Sequence, residues 1–508
     1  MQKKLLAAAV LSAFSGVAAA QSANVTLYGT LLGDFQFANA TGADGSAAPT
    51  NLTTAGNSAR TTASYSTNPA NQSTRSRMNP AGSNFGMRGT EDLGNGLQAW
   101  FQLEISATLG APSGSPDGIN HGNALTYRNS AVGLRSNTWG SVSVGMWDTP
   151  FNVAGYSTMN ANGRSGNATV GLLSNTLGAL GVLGAGGAWS GQNEAAACTT
   201  GVGVTSGGCL NAGTNFDRRQ KGILQWWSPN WSGFEGRVAY SATNAGDAVT
   251  ASNRAAGALK PNIWDLSIAY NNGPLALGYA YERQNDLLAY AAATFGGNTV
   301  TSTTVTNTGA GGTTIGTVST APGQVANGSG TGGWQITGAG ANAVSGSTGV
   351  GHRLGGKYAF DLGGGSSIGM GAMWESLKYD MSYAGTTAGD LSALKKTGWR
   401  LQGNYTMGNH FFALEYARSN AVTGSIVSTA GATTAATGLR GFDGSGTRSS
   451  AWMLSYNYAF SKRTSLTAYY VGVVNDTNSA NGGITFGGIS TAAGADPKYY
   501  GVNLKHTF

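Results

Sequence analysis

Polar and apolar side chains alternate in short segments along most of the chain. Clear examples are residues 24–37, 97–105, 234–241, 399–407 and 450–460. A period of two residues is that of a β-strand with one apolar and one polar face. The high glycine content, 81 of 508 residues, also disfavours helices. The chain is therefore expected to be all-β.

The connections between these segments fall into two length classes. Very short turns rich in Gly, Asn and Asp, such as residues 91–96 and 271–274, alternate with long polar stretches. These residue types adopt the positive φ values that tight hairpins need. Seven short turns and eight long stretches join sixteen predicted strands. The long stretches are residues 38–81, 106–124, 149–216, 245–261, 285–350, 377–396, 420–448 and 475–495.

Sorting of the loops by length favours a barrel that spans a membrane. Outer-membrane barrels have an even number of antiparallel strands, short periplasmic turns and longer external loops. Strands with one apolar face suit a wall between lipid and water, and closure removes the exposed sheet edges. A soluble β-sandwich also alternates, but its loops do not sort by length. We predict a 16-stranded antiparallel transmembrane β-barrel.

The first residues carry the pattern of a secretory signal peptide. Lys3 and Lys4 precede an apolar stretch, and three alanines precede Gln21. We therefore predict a signal peptide at residues 1–20 and one barrel domain at residues 21–508. Because an exported protein meets an oxidising compartment, Cys198 and Cys209 are predicted to form a disulfide.

The sequence shows no constellation typical of an enzyme or a cofactor site. The four histidines are scattered, the two cysteines have no histidine near them, and no glycine cluster opens a strand–helix unit. Lysine and arginine form no cluster of the kind that nucleic-acid binding needs. We expect no catalytic activity, no cofactor, no metal and no nucleic-acid partner.

The function of a channel depends on the charges along its lumen. Basic and acidic residues lie on the polar faces of the predicted strands, although the segments near Arg128 and Arg219 alternate less well. The pore-lining candidates are Arg88, Arg128, Arg219, Lys221, Arg237, Arg353, Lys357, Arg400, Glu104 and Glu235; further acids are Asp34, Asp265, Glu375 and Glu415. Such charges either pair with one another or together steer anions through the lumen.

Several motifs resemble those of the general porins of β-proteobacteria. They are VTLYG from Val25, FGMRGTEDLGNGLQAWFQLE from Phe85, RNSAVGL from Arg128 and QWWSPNWSGF from Gln225. The last strand alternates and ends on Phe508, which resembles the signal that the outer-membrane assembly machinery reads. The resemblance implies a homotrimer in the outer membrane of a Gram-negative bacterium, with the third external loop folded into the pore.

Two features depart from the family pattern. Asn84 stands where many relatives carry Arg, and the third loop, residues 149–216, contains only Arg164 and Glu194 as charges. Arg75 and Arg77 are candidates to compensate for the missing arginine. These departures predict a weak rather than a strong preference for anions.

The leading hypothesis is a porin that forms a water-filled channel for passive diffusion of small hydrophilic solutes and ions. A substrate-selective channel of the same fold and a surface adhesin or structural barrel remain alternatives. The expected partners are outer-membrane lipid, further copies of the chain, the permeating solutes and the assembly machinery.

Overall fold

The computed structural model describes residues 24–42, 72–79, 82–107, 109, 128–160, 216–242, 262–285, 344–383, 391–421, 423–429, 437–441, 448–476 and 494–508. The predicted signal peptide lies outside these residues, as do Cys198 and Cys209. No helix among the described residues is long and apolar enough to cross a membrane.

The described strands form one antiparallel sheet. They are β1 (Asn24–Thr41), β2 (Gln72–Asn79), β3 (Asn84–Gly94), β4 (Leu97–Ser106), β5 (Ser130–Ser136), β6 (Gly140–Asp148), β7 (Arg219–Trp227), β8 (Phe234–Ala242), β9 (Asn262–Asn272), β10 (Leu275–Asn285), β11 (Val344–Gly363), β12 (Ser366–Tyr383), β13 (Leu391–Met407), β14 (His410–Ser419), β15 (Thr423–Thr429), β16 (Thr437–Gly441), β17 (Ser449–Ala459), β18 (Thr464–Asn475) and β19 (Asp496–Thr507). A helical turn, α1 (Pro150–Val153), follows β6 and continues into one π-helical turn, Ala154–Thr158.

The sheet closes into a barrel with sixteen strand positions. Strand β1 pairs with β19, which joins the first strand to the last. Strands β2 and β3 pair with successive parts of β1 and so fill one position. Strands β15 and β16 form a hairpin that extends the wall at its external end, where β15 pairs with β13. The predicted sixteen-stranded antiparallel barrel is confirmed.

Several strands reach further into the predicted external loops than the alternation indicated. Strand β2 lies within the stretch 38–81, and the β15–β16 hairpin lies within 420–448. Strands β11, β12 and β13 likewise extend into 285–350 and 377–396. Beyond the hydrocarbon layer the outer face of a strand does not have to be apolar, so the pattern of an apolar outer face and a polar inner face ends there.

The two faces of the wall differ as the alternation predicts. Large apolar side chains point outward and are exposed, among them Leu27 at 59 %, Val132 at 62 % and Leu414 at 56 %. The alternate positions point inward and carry polar residues such as Asp34 and Gln36. An apolar cluster on the inner wall, near the external end of β1, β14 and β17–β19, includes Met453, Val471 and Tyr499.

A β-bulge explains why the alternation near Arg219 is poor. The pairing of β6 with β7 shifts between Gly145 and Trp147, so that the two strands contribute unequal numbers of residues there. Gly222 adopts a φ of +60° at this point, in the region that favours glycine. Residues on either side of the bulge therefore do not continue one alternating pattern.

The C-terminal Phe508 takes part in closing the barrel. Its backbone N–H donates to the carbonyl oxygen of Gly29 at 3.1 Å, and the Gly29 N–H donates to the Phe508 carbonyl oxygen at 3.2 Å. A Cβ atom on Gly29 would lie 2.5 Å from Phe508 Cζ and 2.8 Å from the Asn84 carbonyl oxygen. Gly29 thus leaves room for the terminal ring. The role of Phe508 as an assembly signal stays a prediction.

Replacing Gly29 is expected to weaken this closure. The Gly29→Ala variant should unfold at a lower temperature, by an amount that corresponds to roughly 1–3 kcal/mol, because the added methyl group collides with backbone and ring. Gly33→Ala is the matched control, since the same strand face has open space there. Thermal unfolding followed by circular dichroism measures both. Equal unfolding temperatures for the two variants would contradict the packing described.

Candidate functional site

The predicted pore-lining residues of the strands point into the barrel. Register and burial place Arg88, Glu104, Glu235, Arg237, Arg353, Lys357 and Arg400 on the inward face. Arg128 lies just before β5 and its guanidinium pairs with Glu104. Lys221 lies in β7 beside the bulge, and its side chain lies outside the described part of the structure.

The beginning of the third loop enters the lumen as α1. Thr149 caps this turn: its hydroxyl oxygen accepts from the Asn152 N–H, and Pro150 occupies the first helical position. The Phe151 N–H donates to both carboxylate oxygens of Asp265, on the inner face of β9, at 3.0 and 3.1 Å. The described start of the loop therefore packs against the inner wall.

Arg353 connects the loop to the wall. It is 1 % exposed, and its Nη1 lies 2.8 Å from Oδ1 of Asp217. Its Nε donates to Glu375 at 3.0 Å, and Nη1 donates to the Phe151 carbonyl oxygen at 2.9 Å. The guanidinium carbon lies 4.1 Å from the centre of the Phe151 ring. The structure thus places Arg353 beneath the loop and away from water.

Two further groups hold the loop. Lys357 Nζ donates to the carbonyl oxygens of Ser157 at 2.9 Å and Asn160 at 3.2 Å. Asp148 accepts from the Tyr156 hydroxyl at 3.0 Å and pairs with Arg219 at 3.0 Å. Arg219 is 5 % exposed, so its charge acts on Asp148 at the base of the third loop and not on the water of the lumen.

A second buried group of charges lies beside Arg353. Arg218, fully buried at the end of the loop, interacts electrostatically with Glu282 and Asp265. Burial lowers the pKa of Arg218 to about 10, which leaves the guanidinium charged at neutral pH. One cation thus faces two buried carboxylates at the base of the third loop. Their electrostatic attraction offsets part of the free-energy cost of removing these charges from water.

The inward acids are mostly buried, whereas several inward bases are exposed. Seven carboxylates have relative exposures of 8 % or less: Asp34, Glu104, Asp148, Asp265, Glu282, Glu375 and Glu415. Arg75 and Arg88 are exposed, and Arg77, Arg237 and Lys505 are partly exposed. Of the inward acids that retain exposure, Asp92, Glu235 and Asp361 lie next to the short turns, and Asp217, whose side chain is 23 % exposed, pairs with Arg353. In the described part of the lumen, water between the turns and the external loops therefore meets mainly positive charge.

Arg400 differs from the exposed bases. Its Nε lies 3.4 Å from Oε1 of Glu415, and the Arg400 side chain is 12 % exposed. Because the two charges compensate each other, this pair contributes little net field to the lumen.

The sequence-based candidates omitted several charged inward residues, among them Arg218, Glu282 and Lys396. Glu282 lies on the same inward face of β10 as Ala276 and Ala280. Its position in the two-residue alternation could therefore have identified it as inward. Arg218 precedes a strand whose alternation is broken by the bulge, so no periodic signal marks it. Lys396 lies in the part of β13 that was predicted to be loop.

Among the described residues, no group of three or more His, Cys, Asp or Glu side chains is arranged to hold a metal ion.

Comparison with known proteins agrees with this architecture. A family model described as Gram-negative porin matches residues 7–315. An outer membrane porin protein of Bordetella pertussis is 29 % identical over 296 residues, which cover 56 % of this chain and 60 % of that protein. The alignment therefore spans less than two thirds of that relative.

The chain resembles solved structures at low sequence identity. The anion-selective porin from Comamonas acidovorans shares the fold, with a TM-score of 0.55 and 17 % identity, covering 96 % of this chain and 100 % of the other. The in-vitro folded OmpT of Vibrio cholerae, in its trimer form, matches less well, with a TM-score of 0.48 and 12 % identity, covering 96 % and 100 %.

Loss of Arg353 is expected to release the base of the third loop. In Arg353→Gln, Glu375 and Asp217 lose their cation, and removal of one partner of a buried ion pair costs about 3–5 kcal/mol. We expect faster protease cleavage between residues 149 and 218 in a barrel that remains folded on a semi-native gel. Lys357→Gln is the control, because Lys357 binds only loop carbonyl oxygens and is half-exposed. Cleavage of the Lys357→Gln variant should be slower than cleavage of Arg353→Gln. Wild-type protection in Arg353→Gln would contradict the anchoring role.

Proposed function

Because the chain belongs to the Gram-negative porin family, we propose that it forms a water-filled channel for passive diffusion of small hydrophilic solutes and ions, with a preference for anions. The chain crosses the outer membrane many times with its strands. Apolar side chains face the lipid and polar side chains face the lumen, as a wall between the two requires.

The observation that carries the anion preference is the unequal exposure of the inward charges. A buried, paired carboxylate contributes little field to the water, because its partner cancels it at short range. An exposed guanidinium keeps its charge at every physiological pH and acts on the water of the channel. The low-dielectric wall concentrates this field within the lumen.

The base of the third loop supports a narrowed lumen. The contacts of Arg353, Lys357 and Asp265 hold α1 inside the barrel against β9–β12. A segment fixed there reduces the cross-section available to solutes. Such narrowing brings permeating ions closer to the exposed arginines, where their field acts most strongly.

We further propose that the channel assembles as a homotrimer and that the assembly machinery inserts it. Chemical crosslinking of the folded protein in detergent tests the trimer; a monomer band alone would contradict it.

Conductance in a planar bilayer separates the proposed channel from an adhesin or structural barrel. Block of that conductance by low concentrations of a single solute would instead support a substrate-selective channel.

The exposed Arg88 and the partly exposed Arg237 are expected to set the ion preference. Arg88→Gln and Arg237→Gln should each shift the zero-current potential in a KCl gradient toward cation selectivity. The shift should be larger at 0.1 M than at 1 M salt, because the Debye length falls from about 10 Å to about 3 Å. Planar-bilayer recording measures both.

Two matched controls accompany this measurement. Arg283→Gln removes an exposed arginine of β10 that points to the outside of the barrel, and should leave the potential unchanged. Arg400→Gln combined with Glu415→Gln removes a buried pair without changing net charge, and should have little effect. If Arg88→Gln and Arg237→Gln behave like Arg283→Gln, the anion preference does not arise from these arginines.

A further inference from the structure

A polar groove lies on the outer surface of the barrel at its external end. It has a volume of about 450 Å³ and lies where the β15–β16 hairpin meets the ends of β13, β14 and β17. Its lining residues are Lys395, Thr397, Arg418, Asn420, Ala421, Thr423 and Arg448. Nothing in the proposed channel function uses this groove.

The groove faces the membrane side of the wall. Arg418 follows Phe412 and Leu414 in alternation, and both are exposed apolar residues of the outer face. Lys395 stands directly opposite Thr423 in the ladder, so these two side chains share a face. Lys396, the neighbour of Lys395, is buried on the inner side. The charges of the groove are therefore separate from the lumen.

Positive charge in the groove exceeds the negative charge available to it. Lys395 lies directly opposite the exposed Lys378, and like charges in this position destabilise a sheet. Two acids are nearby: Asp380 pairs with Lys378 at 2.8 Å, and Asp476 lies 3.8 Å from Arg448. No carboxylate of the described residues lies within ion-pair distance of Lys395 or Arg418. The site thus combines four cations with two anions.

The position of the groove along the membrane normal indicates which anions it contacts. Strand residues just below it form aromatic pairs: Trp399 packs on Tyr416 with ring centres 5.3 Å apart, and Trp452 on Tyr470 at 4.8 Å. Tryptophan and tyrosine on the outer face mark the boundary between hydrocarbon and headgroups. Trp399 stands directly opposite Arg418, so the cations lie at and above this boundary, in the headgroup layer.

We propose that this groove binds the phosphate groups of lipid headgroups in the outer leaflet. Arg418 offers the bidentate geometry that suits a phosphate, and Lys395 and Arg448 add charge on either side. The hydroxyl of Thr423 and the amide of Asn420 supply neutral hydrogen-bonding groups. A bound phosphate would relieve the repulsion between Lys378 and Lys395. The proposal depends on the membrane location of the barrel and not on its ion preference.

Lipid binding to the detergent-purified full chain tests the proposal. The probes are a glycolipid with two phosphate groups, the same glycolipid without phosphates, and inorganic phosphate. Native mass spectrometry counts bound lipid, and the shift in unfolding temperature reports affinity. We expect wild type to bind the phosphorylated glycolipid at least about 10-fold more tightly than the phosphate-free form, and inorganic phosphate to bind weakly.

The double variant Lys395→Gln, Arg418→Gln should lose this preference, whereas Arg283→Gln, an outward arginine elsewhere, should keep it. Arg448→Gln provides a second, milder change within the groove and should weaken binding partially. Conductance of all variants should match wild type, which separates a failure here from a failure of the channel proposal. Equal binding of both glycolipids, or undiminished binding by the double variant, would overturn the proposal. Binding of inorganic phosphate as tight as that of the glycolipid would overturn the headgroup assignment.

Discussion

The need to pair every backbone N–H and C=O group within a hydrocarbon layer is the constraint on which this structure depends. A sheet meets this need only when it has no free edge, and here the pairing of β1 with β19 closes it. The position of Phe508 over Gly29 completes that closure. Once the wall is closed, alternation along each strand separates a lipid face from a water face. The lumen and its charges follow from that separation.

Burial of ion pairs under the third loop is costly unless the pairs are complete. The structure satisfies this condition by directing Arg353 at two carboxylates and a loop carbonyl at the same time. Glu375 is buried in this way and Asp217 is paired while 23 % of its side chain stays exposed, whereas Arg88 is exposed. The same interactions that hold the loop therefore leave the lumen with an excess of accessible positive charge. In the function we propose, loop anchoring and anion preference are thus two results of one charge arrangement.

Much of the fold could be predicted because the membrane imposes a repeating pattern on the sequence. The number of alternating segments predicts the number of strands, and the need to remove exposed sheet edges predicts closure. The inward direction of Arg88, Arg237 and Arg400 follows from their positions in the two-residue alternation within the apolar layer. The alternation did not predict the strands beyond the apolar layer, which are β2 and the extensions of β11–β13. It also did not predict the side-chain directions at the bulge next to Arg219. The burial of Arg353 was not predictable, because it depends on a loop from a distant part of the chain that packs onto it. Periodicity assigns the face of a residue but not what covers it.

Zero-current potential of the wild-type channel in a KCl gradient at low salt tests the relation between buried acids and exposed arginines. If the exposed charge of the lumen is positive, chloride crosses faster than potassium and the dilute side becomes negative relative to the concentrated side. The magnitude should fall as the mean salt concentration rises toward 1 M. A dilute side that is positive at 0.1 M would contradict the proposed charge arrangement.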